Sequence, residues 1–274
     1  MGSWAKSAFG RGQFNDVGII VAGTNSLEFE KAILDMFDEV VSSKDRVYHA
    51  HLVRKGKGYY PIVTNVYGSP ALVDVLTEMH DGGCRTVIFV GYAYGGFKNL
   101  EIGTVVIPTK AYHFDGIYHP IDPNKKFGLP DKELKDKIES LFKKNKITFV
   151  EGVNISVPAV TFQMPHANEH YNKIKPTTVE MELASCYSRA KDIGVRALGI
   201  LIISDNKKTS IDDYDKRHIR TDAKKTVLQL ISKNIGKIKL SHLKLKKDFK
   251  VDDYLANVIH DPKDETNVYK NKNH

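Results

Sequence analysis

Cysteine is scarce in this chain: its 274 residues include two, Cys84 and Cys186. Two are too few for a disulfide scaffold and lack metal-ligand spacing, so a reducing cytoplasm is the expected compartment. Long apolar runs are missing as well. No stretch approaches the roughly 18 apolar residues that a membrane helix needs. The run Val17 to Ala22 is too short for a signal-peptide core and reads as a first strand. Lys6 stands where a myristoylation signal wants Ser or Thr. No nucleic-acid motif is present. His113, His119, His166 and His170 fall in Pro-rich or polar segments without ligand spacing, so neither a metal nor an organic cofactor is expected.

What is present is an ordinary globular composition, 41% hydrophobic, enough to bury a sizeable core. The net charge of +8 comes largely from Lys132 to Lys146 and Lys233 to Lys250, which also carry apolar residues at helical spacing. Such stretches are solvated faces, or an electrostatic funnel for small anions.

Strand-like and helix-like patterns alternate, which marks an α/β chain. Strands are expected at Val17 to Ala22, Val47 to Val53, Tyr60 to Val66, Thr86 to Val90 and Gly103 to Thr109. Further strands are expected at Ile147 to Val153, Val157 to Phe162 and Arg196 to Ile203. Helices are expected at Ser26 to Val40, Pro70 to His80, Lys132 to Lys144, Leu183 to Ile193 and Thr221 to Lys233. A turn at Lys57-Gly58 joins the second and third strands.

Five short motifs then fall in one order. They are Gly23 after the first strand, Val90-Gly91 ending a central strand, Gly103-Thr-Val-Val-Ile-Pro108, Val179-Glu-Met-Glu182 and Ser204-Asp205. Their order and spacing resemble the nucleoside phosphorylase superfamily of the hexameric purine nucleoside and uridine phosphorylase type, with its related nucleosidases. The resemblance spans about residues 16 to 236 and leaves a basic C-terminal extension, 237 to 274. It implies a single α/β domain whose central mixed, partly barrel-like sheet is flanked by helices. It also implies a homo-oligomer, from dimer to hexamer, acting on a nucleoside with inorganic phosphate as co-substrate.

The chemistry accounts for the residue types. Breaking a ribosyl–base bond gives the sugar oxocarbenium character and leaves negative charge on the base. The resemblance assigns Glu182 to the ribose 2′- and 3′-hydroxyls, Met181 to the apolar sugar face, and Glu180 as a second carboxylate nearby. Asp205, with Ser204 before it, matches the acid that protonates a purine N7. Ile202 and Ile203 beside it supply the desolvation that raises a carboxylate pKa. Phe162 stands where the family stacks an aromatic on the base, and Lys207 or Arg217 is available to assist Asp205. On their own, Glu180 and Glu182 also suit a helix N-terminus, and Ser204-Asp205 a capped turn.

The acceptor side departs from the family. Leu27 occupies the arginine position of the loop after strand one, and Phe89 and Tyr92 replace an arginine and a hydroxyl residue around Gly91. Two guanidiniums that would grip an oxyanion are therefore missing. Anion capacity is expected instead from the Gly23 and Thr24 amides beside an N-capping Ser26, and from Arg46, with Lys44 and His49 as alternatives. Glu28 falls where the related nucleosidases place a water-activating glutamate. Residues Ser3 to Gln13 contain no histidine for a sugar 5′-hydroxyl, although Lys6 and Arg11 are basic residues there. Phosphorolysis of a purine nucleoside, hydrolysis of a nucleoside or nucleotide, and non-catalytic nucleoside binding all remain open readings.

Overall fold

The computed structural model describes residues 3–23, 25–43, 47–98, 100–163 and 169–241. In chain order the elements are α1 (Ser3–Phe9), β1 (Val17–Ala22), α2 (Leu27–Leu34), β2 (Glu39–Ser42), β3 (His49–Lys55), β4 (Gly58–Val66), α3 (Ser69–Asp81) and β5 (Thr86–Gly95). Then come β6 (Val105–His113), β7 (Phe127–Gly128), α4 (Lys132–Lys144), β8 (Phe149–Ser156), α5 (Glu169–Ile174), β9 (Thr178–Glu180), α6 (Leu183–Asp192), β10 (Arg196–Asn206) and α7 (Tyr214–Asn234).

The strands form one mixed ten-stranded sheet, ordered β10-β6-β8-β9-β5-β1-β4-β3-β2 with β7 on β6. Because β10 also pairs with β5, the strands β5, β9, β8, β6 and β10 close into a ring. That ring is the barrel-like part, and β1 to β4 extend from it. The central strands β1, β5 and β10 run parallel and are almost wholly buried, so they read as continuous apolar runs rather than alternating ones. One apolar core lies under α3 and α6 and a second under α4 and α7.

Local chemistry explains most boundaries. Helix α4 has the expected bounds: Asp131 caps it by accepting from the Leu134 amide at 2.8 Å, and Leu134, Ile138 and Phe142 line its buried stripe. The expected helix from Ser26 to Val40 ends at Leu34 instead. Val40 and Val41 pair antiparallel with Val53 and Leu52 as an edge strand, where β-branched side chains suit the pleat. The expected strand Val157 to Phe162 is absent. Pro158 supplies no amide, and after it the chain forms a short 3-10 turn, Val160–Phe162. Strand β6 runs beyond its expected end to His113 and absorbs Pro108 at a register shift against β8. The β3–β4 turn falls at Gly56-Lys57, one residue early, where Gly56 takes φ +59°. Of the basic C-terminal extension, residues up to Ser241 are described, and no continuing helix follows α7 there beyond a 3-10 turn, Ile235–Lys237.

Candidate active site

A cleft of about 570 Å³ opens at the C-terminal ends of the parallel strands β1, β5 and β10. This is the edge where open α/β sheets bind ligands. Glu182 and Met181, at the junction of β9 and α6, form one wall. Glu182 is buried, accepts from the Gly68 amide at 2.6 Å, and is 3.3 Å from the Met181 amide. Its carboxyl is also hydrogen-bonded to that of Glu180, and the lone pairs left over are available to a sugar hydroxyl. Burial, and then the neighbouring charge of Glu180, pushes the Glu182 carboxyl well up from its ordinary value.

Glu180 lies on the same wall but has its oxygens occupied. One accepts from Asn154 Nδ2 and Ser156 Oγ at 2.7 and 2.5 Å, and the other from the Glu182 and Leu183 amides at 2.7 and 2.8 Å. It thus serves the N-terminus of α6, whose first amides have no intrahelical partner. Behind Met181, Ser69 Oγ stands 2.8 Å from the Met181 carbonyl and 2.6 Å from Asp115. His113, at the end of β6, joins that cluster through Asp115 at 3.2 Å and Ser188 at 2.8 Å.

Across the cleft, β10 carries a bulge between Ile203 and Asp205 that leaves Ser204 as the extra residue. Bulges re-aim side chains in this way. Ser204 faces the cleft and donates to Asp205 Oδ1 at 2.5 Å. Asp205 stands just behind the lining, and burial raises its pKa against the opposing pull of Ser204 and Arg220.

The remaining expected residues divide clearly. Gly23, Glu28 and Tyr92 line the cleft, and Glu28 is exposed on the first turn of α2. Gly23 takes φ +82°, a conformation that favours glycine, but its amide donates to Val66 O at 2.8 Å and is not free for an anion. Ser26 caps α2, accepting from the Phe29 amide at 3.2 Å. Gly91 is outside the lining, packed towards Phe89 and Ala22. Phe162 is 53% exposed, and its neighbours Val160 and Gln163 reach the cleft instead. Thr24, Lys44, Arg46 and His166 lie outside the described residues.

Helix α7 supplies what the sequence reading missed. Arg220 and Thr221 join Arg217 on the cleft lining. Arg220 donates to the Ser204 carbonyl at 3.0 Å, and Thr221 is hydrogen-bonded to the Tyr92 hydroxyl. One turn on, Lys224 is fully buried and donates to Ala22 O and Asn25 Oδ1, both at 2.9 Å. The signal was the helical spacing of Arg217, Arg220 and Lys224, at i, i+3 and i+7. A second overlooked group is Glu30, His49 and His51, whose ligand atoms lie within 4.8 Å of one another. The alternation His49-Ala50-His51 on a strand was its signal, since alternate residues share a face.

Comparison with known proteins agrees with this fold. The family model described as the phosphorylase superfamily matches residues 18–240. The chain belongs to the phosphorylase superfamily. A DeoD-type purine nucleoside phosphorylase of Streptococcus pyogenes is 28% identical over 158 residues, covering 56% of this chain and 67% of the relative. Two solved structures share the fold. The 5′-methylthioadenosine/S-adenosyl homocysteine nucleosidase of Campylobacter jejuni has a TM-score of 0.69 at 16% identity, covering 81% of this chain and 99% of that one. Uridine phosphorylase of Vibrio fischeri has a TM-score of 0.70 at 16% identity, covering 82% and 93%. The fold is thus shared by a phosphorylase and by a nucleosidase. Among the described residues, no helix is long and apolar enough to cross a membrane.

Proposed function

We propose that this chain cleaves the N-glycosidic bond of a purine nucleoside by phosphorolysis, giving free base and ribose 1-phosphate. The observation that carries the reading is the placement of Glu182 and Ser204 on opposite sides of one cleft, with Asp205 hydrogen-bonded to Ser204 just behind the lining. Glu182 holds the ribose diol and favours the cationic sugar of the transition state. Asp205, its pKa raised by burial, delivers a proton to the departing purine. Arg217 and Arg220 on the cleft lining provide positive charge for phosphate, in place of the guanidiniums lost at Leu27 and Phe89. The likeness to a purine nucleoside phosphorylase supports the choice of base and acceptor.

Hydrolysis is the second reading, and Glu28 favours it. Its carboxylate is exposed within the cleft, where it suits activation of water and opposes an incoming phosphate. Base release from inosine, adenosine, uridine, methylthioadenosine and AMP, each with and without phosphate, separates the two. Phosphorolysis predicts release from a purine nucleoside that depends on phosphate. Equal release without phosphate contradicts it and transfers the chemistry to Glu28.

A further inference from the structure

Away from the cleft, the inner face of α2 carries a carboxylate whose surroundings are unusual. Glu30 is 7% exposed, and its ion-pair partners among the described residues are both histidines. Its Oε2 is 2.8 Å from His49 Nδ1 and its Oε1 is 3.0 Å from His51 Nε2. A buried carboxylate usually has a full positive charge beside it. Here none of the described lysines or arginines forms an ion pair with it.

We propose that Glu30, His49 and His51 form a three-ligand site for a divalent transition-metal ion of the zinc class. His49 and His51 are alternate residues of β3 and share a face of the sheet, while α2 brings Glu30 over them. One carboxylate oxygen and two imidazole nitrogens are a donor set that zinc, cobalt and nickel favour. Magnesium and calcium prefer oxygen ligands. Bonds of about 2.0–2.1 Å in a tetrahedral site separate ligand atoms by roughly 3.3 Å. The 2.8 and 3.0 Å contacts go to different oxygens of Glu30, and with one ligand atom from each residue the three lie within 4.8 Å of one another. The cluster therefore rearranges by at most about 1.5 Å as the metal replaces the carboxylate–imidazole hydrogen bonds.

The supporting groups are in place. His51 Nδ1 is 2.7 Å from Ser42 Oγ, a contact that holds the ring with Nε2 towards Glu30. Thr64 Oγ1 donates to Glu30 Oε2 at 2.8 Å. Such outer contacts fix the tautomer and orientation of metal-binding histidines. As the metal binds, the His51 ring carries its proton on Nδ1, towards Ser42, and the His49 ring carries its proton on Nε2. His49 is half-exposed, which leaves an open side for entry and for a water as fourth ligand. The ion would clamp α2 onto β3, and the contact continues towards the cleft. Asn65 Nδ2 is 3.2 Å from His49 Nδ1, and Asn65 Oδ1 accepts from the Asn25 amide at 2.8 Å.

The test uses the full-length protein without an affinity tag, stripped by chelator and titrated with Co²⁺, then with Zn²⁺ and Mg²⁺. One equivalent of Co²⁺ is expected to produce the intense visible absorption of a low-coordinate site, to be displaced by Zn²⁺ and not by Mg²⁺. Zn²⁺ should also raise the melting temperature. Since the chain has eleven histidines, variants locate the site. Ser42→Ala should weaken Co²⁺ binding about 10–100-fold, and His49→Gln and Glu30→Gln by more. Because His49 is half-exposed, His49→Gln should melt like wild type in chelator, which separates metal loss from misfolding. Absence of the absorption, or wild-type Co²⁺ affinity in both His49→Gln and Glu30→Gln, would overturn the assignment.

Discussion

The Lys224 ammonium lies 4.1 Å from the centre of the Tyr92 ring, fully buried, with Tyr92 itself between it and the cleft. The cation and the ring are attracted electrostatically, yet burial still pushes the amine down to about 7, against the pull of Glu182. The Tyr92 side of the cleft thus rests on a cation that is poorly solvated.

This placement makes stability depend on pH. The unfolded chain keeps the Lys224 proton up to about pH 10.5, whereas the folded chain releases it near pH 7. Unfolding therefore takes up a proton between those values, and stability rises with pH in that window, by about 1.4 kcal/mol per pH unit at most. Lys224→Met should flatten that rise in urea denaturation at about pH 7 to 9. Parallel profiles for the two proteins would show that the amine titrates elsewhere.

Glu182 should trade stability for activity. Its carboxyl pKa is raised, so the ionised form destabilises the fold once pH exceeds the unfolded carboxylate value. Glu182→Gln removes that charge and leaves an oxygen for the Gly68 amide. The variant should melt higher near pH 7, each kcal/mol being worth about 2–4 °C for a chain near this size. Its kcat/KM should fall roughly 10–150-fold through the lost charged hydrogen bonds to ribose. A variant with lower stability and full activity would contradict both parts.

Asp205 predicts the alkaline limb of the rate profile. Burial raises its pKa, and deprotonation as pH rises through that value removes the donor to the base. Asp205→Asn should lower kcat on a purine nucleoside by about 10²–10⁴ and abolish that limb. An unchanged profile in the variant would assign the proton to another group.

Arg217 should act on the acceptor. It lines the cleft, so Arg217→Met should raise the KM for phosphate with a smaller change in the KM for nucleoside. Steady-state kinetics with each substrate varied in turn reads the difference. Equal effects on both would mean that Arg217 holds the cleft together without contacting the acceptor.

How far the sequence could be read follows from how local each signal is. Helix α4 was legible because Asp131, Leu134, Ile138 and Phe142 carry cap and stripe within one stretch. The apolar run of β10 and the Gly56-Lys57 turn region were legible for the same reason, whereas Glu182 and Ser204-Asp205 stood out only through their order and spacing along the whole chain. Val40 and Val41 were misread because only pairing with β3, a tertiary contact, makes them a strand. Neither the closure of the sheet through β10 and β5 nor the meeting of α7 with Tyr92 is encoded within one segment. The Glu30–His49–His51 cluster was hidden likewise, because it joins a helix to a strand that lies beyond β2 in the chain.

The most direct test of the account is the fate of the sugar. Inosine would be turned over in heavy-oxygen water with phosphate present, and the sugar product identified by mass spectrometry. Phosphorolysis predicts ribose 1-phosphate without heavy oxygen, formed in equal amount to hypoxanthine. Free ribose carrying heavy oxygen at its anomeric carbon would contradict phosphorolysis and make water, activated at Glu28, the acceptor.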